Sequence, residues 1–172
     1  MWSQADIETE ANKLLKQFEI DEPPVDVERI ADSLGIEVNY ESLDADVSGV
    51  MLLEKGKKSV AINSNHHSNR QRFTLAHEIA HLMLHTSSNE ERIFIDKRFF
   101  RNDASSTGAV REEIDANTFA AYLLMPEKFL ENSVAKDEPI SDFDIYKLAH
   151  KYKVSEQAMT LRLVKLDYIE PD

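Results

Sequence analysis

HEIAHLMLH, residues His77 to His85, sets three histidines four residues apart with a glutamate directly after the first. A helix turns once per about 3.6 residues, so His77, His81 and His85 share a face and Glu78 stands about 100° round from His77. Phe73, Ala76, Ile79, Ala80, Leu82 and Met83 add an apolar stripe, which predicts a largely buried helix over about 68–85. Two imidazoles at i and i+4 can reach one cation without distorting the backbone. Glu78 beside them can accept a proton from water activated at that cation. The competing reading is an amphipathic helix with incidental histidines.

A catalytic zinc takes three protein ligands and keeps one position open. His85 is excluded by distance, because a helix advances about 12 Å between His77 and His85. It is expected instead at the helix end, capping carbonyls or favoured by the dipole. The metzincin pattern would need glycine at 84 and histidine at 87, where this chain has Leu84 and Ser87. With no cysteine in the chain, the ligands must be imidazole and carboxylate. REEIDANTFAAYLLMP, on a second predicted helix over about 110–125, offers Glu112, Glu113 and Asp115. Glu113 and Asn117 are i and i+4, so a ligand carboxylate and a hydrogen-bonding amide would share a face. An acidic trio at a helix start is also simply favoured by the helix dipole.

The 172 residues suffice for one compact domain and a small appendage, and 42% hydrophobic content supplies a core. A net charge of −12 argues against a general nucleic-acid binder, which needs an excess of Lys and Arg. MWSQADIETEANKLL lacks a basic, then apolar, leader pattern, and no stretch is apolar enough to span a membrane, so a cytoplasmic protein is expected.

Ahead of the histidines, Ile7, Ala11, Leu14, Leu15 and Phe18 follow helical spacing, with Ser3 and Asp6 as a capping pair. VDVERIADSLG reads as a short helix capped by Asp26 and stopped by Gly35. IEVNY alternates as a strand, and SGVMLLE and SVAIN flank KGKK as a hairpin. IFIDKRFF, 93–100, is ambiguous between strand and packed loop, and NDASSTG, 102–108, is a flexible connection. In the second long helix Ile114, Thr118, Ala121 and Leu124 or Met125 lie on related faces. Beyond Pro139 the chain reads as helix, short turn, helix, with Phe143, Ile145, Tyr146 and Leu148 in the first and Ser155 capping the second. Lys147, Lys151, Lys153, Arg162 and Lys165 make this end locally basic, which motivates a DNA-binding alternative. A solvated helical face is the plainer explanation.

RQRFTLAHEIAHLMLH followed by EEIDANTFAAYLLMP resembles the ImmA/IrrE family of metallopeptidases, as do PPVDVERIADSLGIEV and SGVMLLEKGKKSVAIN upstream. The likeness covers most of residues 5 to 130. It implies a zinc-dependent, gluzincin-like peptidase in which His77 and His81 are ligands, Glu78 is the general base and an acidic residue ahead of Ala116–Asn117 is the third ligand. Glu113 is preferred for the face it shares with Asn117; Glu112 and Asp115 are the alternatives. Zn2+ suits this set, and Mn2+ or another divalent metal is compatible with it. Arg72 and Phe73 match the family's Arg-Phe pair and are expected as a salt bridge and a core aromatic. Ala80 replaces a frequent glycine. Tyr40, Tyr122, His66 and His67 are candidate oxyanion donors.

The implied fold is α+β: a mostly helical metallopeptidase domain over 1–136, with a small sheet of a hairpin plus one or two strands on the HExxH helix. A helix-turn-helix-like segment follows over 137–172. The implied substrate is a helix-turn-helix repressor of a mobile element or stress regulon, cleaved at a limited site, with no direct nucleic-acid or membrane partner. The alternative is a DNA-binding or repressor-binding regulator whose metal site is not catalytic.

Overall fold

The histidine helix, α3 (Ser68–His85), is the centre around which the chain is arranged. Its first turn is closed by His67, whose Nδ1 accepts from the Asn69 amide at 3.2 Å. The computed structural model describes residues 2–86, 91–97, 107–134 and 139–171. Before α3 come α1 (Gln4–Gln17), α2 (Val27–Ser33), β1 (Ile36–Glu41), β2 (Val47–Glu54) and β3 (Lys57–Asn63). After it come β4 (Arg92–Lys97), α4 (Thr107–Leu124), α5 (Glu127–Glu131), α6 (Asp142–Tyr152) and α7 (Glu156–Lys165). The α+β class read from the sequence is the class observed.

Helix starts follow the local chemistry. Ser3 and Asp6 form the reciprocal capping box of α1, and Ser141 and Asp144 repeat it on α6. The Asp26 carboxylate accepts from the Arg29 amide at 3.0 Å, a cap of the kind worth about 1 kcal/mol. Gly35, at φ 70°, takes the left-handed position that ends α2.

The sheet has the order β1-β3-β2-β4, with β1 parallel to β3 and the other pairs antiparallel. Lys55 and Gly56, at φ 50° and 78°, make the two-residue turn between β2 and β3. The Ile93 to Lys97 part of the ambiguous segment is strand, and it forms the sheet edge beside β2. Phe94 points into the core while Ile93 and Ile95 are exposed. Apolar residues therefore occupy both faces of β4, which removes the alternation that would have marked it. Residues 98–106, including most of the expected flexible connection, lie outside the described residues, whereas Thr107 and Gly108 already belong to α4.

The sheet packs on one side of α3, with Met51, Leu53, Val60 and Ile62 meeting Leu75 and Ile79 in one buried cluster. Helix α4 lies against α3 and α1, burying Ala116, Phe119, Ala120 and Leu123. Ile114 shares a face with Thr118, as expected; it is 58% exposed and borders, with Thr118, Trp2 and Ile7, a surface hollow. The Trp2 indole donates to the Leu84 carbonyl at 2.9 Å and ties the chain start to the end of α3.

Helices α6 and α7 meet at a tight turn in which Lys153 is left-handed, and the Asn69 amide of α3 donates to the Val154 carbonyl there at 2.9 Å. Phe143 and Tyr146 are exposed; Leu148, Ala149 and Tyr152 are the residues α6 buries. Arg162, counted in the basic patch, is 3% exposed: its Nε donates to the Met125 carbonyl at 3.0 Å and its guanidinium lies over the Tyr122 ring. Among the described residues Arg72 forms no salt bridge and is instead a tether, donating to the carbonyls of Val25 at 2.8 Å and Lys153 at 3.3 Å. Phe73 packs partly buried against the core as expected. Among the described residues no helix is long and apolar enough to cross a membrane.

Candidate metal centre

Helical periodicity brings His77 and His81 to one spot on α3, and the crossing of α4 brings Glu113 to the same spot. The two Nε2 atoms stand 3.0 Å apart; Glu113 Oε2 is 3.2 Å from His77 Nε2, and Oε1 is 3.2 Å from His81 Nε2. Among the described residues this trio is the group of His and carboxylate ligand atoms close enough together to hold one ion. The Asn117 side-chain oxygen lies 3.1 Å from His77 Nδ1, one helical turn beyond Glu113. That contact sets the ring to offer Nε2 to the centre, with Nδ1–H donating to the amide oxygen. Phe94 of β4 stacks on the His81 ring with centroids 4.4 Å apart, closing the opposite side.

The other two acids are engaged elsewhere. Glu112 accepts from Arg92 at 2.6 Å, and Asp115, buried, faces His85 with its Oδ2 4.0 Å from Nε2. His85 ends α3, as expected, and burial holds its pKa below the ordinary histidine value. Tyr40 donates to Glu28, and the Tyr122 hydroxyl is 3.5 Å from Gln4. Of the residues weighed as oxyanion donors, His67 lines a groove that also contains Asn117.

Buried electrostatics suit a cation. Burial alone would push the His77 pKa down, but the Glu113 hydrogen bond and the fields of Glu78 and Asp96 outweigh it and raise the value to about 9. Burial raises Glu78 to about 8. Burial would also raise Glu113, yet its bonds to His77 and His81 hold it down at about 2. Both Glu78 oxygens and the His81 Nδ1 are buried with no hydrogen-bond partner among the described residues. Two imidazole nitrogens converging with a carboxylate, beside a second carboxylate with no donor, form a donor set that fits one divalent ion of the His/carboxylate-binding kind.

Asp96 escaped the sequence reading. It acts on both His77 and Glu78 and borders the groove. The one available signal was an isolated acid in the apolar run IFID. The groove, about 800 Å³, lies between α3, Asp96 and Asn117 on one side and Tyr146, Ala158 and Leu161 on the other.

Two predictions arise here. Replacing Asn117 by Ala removes the partner that orients His77 and should weaken metal affinity by about 10- to 100-fold, read by competition with a chromogenic chelator. The metal-free protein should lose stability as pH rises. The folded pKa of Glu78, about 8, exceeds its ordinary 4.5, and that of His77, about 9, exceeds 6.5. Both groups therefore stabilise the fold by holding a proton that the unfolded chain releases first. That contribution is lost from pH 4.5 to 8 for Glu78 and from 6.5 to 9 for His77. Thermal melting after chelation should fall between pH 6.5 and 9, and Glu78→Gln should flatten the slope. An equally steep slope in that variant would contradict the assignment.

A peptidase family model described as the IrrE N-terminal-like domain matches residues 31–164. A curated relative, the "Uncharacterized immunity region protein 2" of Bacillus phage phi105, is 24% identical over 155 residues, 87% of this chain and 90% of its own length. A solved structure described as a Mycobacterium tuberculosis transcriptional regulator shares the fold with a TM-score of 0.62 at 18% identity, over 92% of this chain. The chain spans 47% of that protein's length.

Proposed function

The chain belongs to the peptidase family of the IrrE N-terminal-like domain, and from that premise we propose that it is a metal-dependent endopeptidase making a limited cut in a helix-turn-helix repressor. The observation that carries the reading is the convergence of His77, His81 and Glu113 beside the buried, unpartnered carboxylate of Glu78. His77, His81 and Glu113 would hold the ion. Zn2+ is the ion we favour, with Mn2+ or another divalent metal as alternatives. Once bound there, it would supply a Lewis acid that acidifies water and polarises a peptide carbonyl.

The protein's own groups do the remaining work. Glu78 accepts a proton from the attacking water and returns it to the leaving amine nitrogen as the peptide bond breaks. Asn117 holds the His77 ring in the tautomer that presents Nε2. The groove passing Asp96, Asn117, Tyr146 and Leu161, about 800 Å³, is where the peptide segment would lie, between α6–α7 and the elements that carry the ligands.

The repressor as substrate is supported by the immunity-region relative of a phage, whose name ties the likeness to a mobile element. A net charge of −12 suits encounter with a basic DNA-binding protein, since complementary charge speeds association. The DNA-binding alternative is weakened by Arg162, which is buried, and by Lys147, which pairs with Asp144 at 2.8 Å. The test is incubation with the repressor encoded beside this gene, followed by intact-mass spectrometry. One internal cut, abolished by chelator and restored by added Zn2+, is expected. An intact repressor that nonetheless binds would favour the non-catalytic regulator.

A further inference from the structure

Strand β2 approaches helix α3 where Gly49 lies against Thr74 and Glu78. A Cβ built on Gly49 would stand 2.6 Å from Thr74 Cγ2, 3.1 Å from Glu78 Oε1 and 3.5 Å from the Ala61 carbonyl oxygen. The backbone does not call for glycine here, because the left-handed glycines among the described residues are Gly35 and Gly56. What the position requires is space, the usual reason for a glycine inside a strand. The other inward residues of β2, Met51 and Leu53, carry large buried side chains against the same core. Thr74 and Glu78 are one turn apart, so a single missing side chain seats both.

Among the described residues Glu78 has no hydrogen-bond partner to hold its carboxylate. Packing is what confines it, and Gly49 is the floor of that packing. We infer that Gly49 is a positioning residue for Glu78: by lacking a side chain it lets the carboxylate lie against β2, beside His77, where proton transfer requires it. The inference rests on the reading of Glu78 as general base. It adds a requirement on a strand distant in sequence from both metal-binding helices.

Two contacts of different kinds make it testable. Gly49→Ala makes the carboxylate give way by a few tenths of an ångström, and since a misplacement of about 1 Å costs about 100-fold, a fall in kcat of up to about 10-fold is expected. KM and metal affinity should stay within about twofold, since the three ligands do not touch Gly49. The double variant Gly49→Ala with Thr74→Ser removes the Thr74 methyl. It should recover the melting temperature lost in Gly49→Ala while kcat stays low, with Thr74→Ser alone as reference. Recovery of kcat together with melting temperature would make Gly49 a packing glycine and overturn the inference. A readout independent of cleavage is the carboxyl carbon resonance of Glu78 in 13C-glutamate-labelled, Zn2+-loaded protein, assigned by its loss in Glu78→Gln. That resonance should move in both Gly49 variants, and an unmoved resonance refutes the inference. If the unaltered protein cleaves no repressor, the peptidase reading fails, and the resonance still decides the role of Gly49.

Discussion

Glu78→Gln is expected to retain full metal occupancy and to lower kcat by about 10²- to 10⁴-fold, the range a positioned general base contributes. Glutamine keeps the shape of the side chain at a position where Glu78 is fully buried and packs closely against Gly49. It removes only the ability to accept a proton. In the metal-free chain burial raises the Glu78 pKa to about 8, so near neutrality the acid form predominates. Positive charge bound at the neighbouring trio favours the carboxylate, which couples the base to metal loading. KM should change little, because Glu78 is assigned to proton transfer and not to holding the peptide. Steady-state kinetics with metal content measured on the same samples check this, and a variant with unaltered kcat and a full metal complement would remove Glu78 from the mechanism.

The second large effect is on binding itself. Glu113→Ala should weaken metal affinity by more than the about 10- to 100-fold typical of changes behind the ligands, and cleavage should fall with it. Glu113 is the carboxylate that reaches both imidazoles, at 3.2 Å each. Glu112→Ala and Asp115→Asn are the controls. The first would remove one of the partners of Arg92 and the second would disturb the His85 side of α4, and neither side chain reaches the trio. Calorimetric titration with Zn2+ orders the three variants. A loss in Glu112→Ala or Asp115→Asn as deep as in Glu113→Ala would move the third ligand.

Periodicity and caps made much of this molecule readable before any coordinates. The bounds of α3 coincide with those read from the stripe around HEIAHLMLH, and Ser3, Asp26 and Ser155 cap the helices they were assigned. The two-helix origin of the site followed from chain order and the absence of cysteine. What was not readable depended on partners far away in sequence. The i,i+4 spacing to Asn117 favoured Glu113 over Glu112 and Asp115, and Glu113 is the acid that meets the imidazoles; the angle at which α4 crosses α3 to bring it there is contained in no spacing within EEIDAN. Arg162 looked like a surface charge because its buried partners, Met125 and Tyr122, lie on other elements. The helix holding Phe143 and Tyr146 was legible, but not which of its apolar residues face outward: these two do, Tyr146 onto the groove. Asp96 and Gly49 sit on strands whose relation to Glu78 exists only once the sheet is laid against α3.

The central claim is that one ion on His77, His81 and Glu113, together with Glu78, turns this fold into a peptidase. Its most direct test is to strip the protein with chelator, titrate it with Zn2+, and follow bound metal and repressor cleavage in the same samples. Cleavage should rise in proportion to bound Zn2+ and level off at one ion per chain, while Glu78→Gln follows the same binding curve with almost no cleavage. Full cleavage by the stripped protein, or cleavage by Glu78→Gln equal to that of the unaltered chain, would contradict the account.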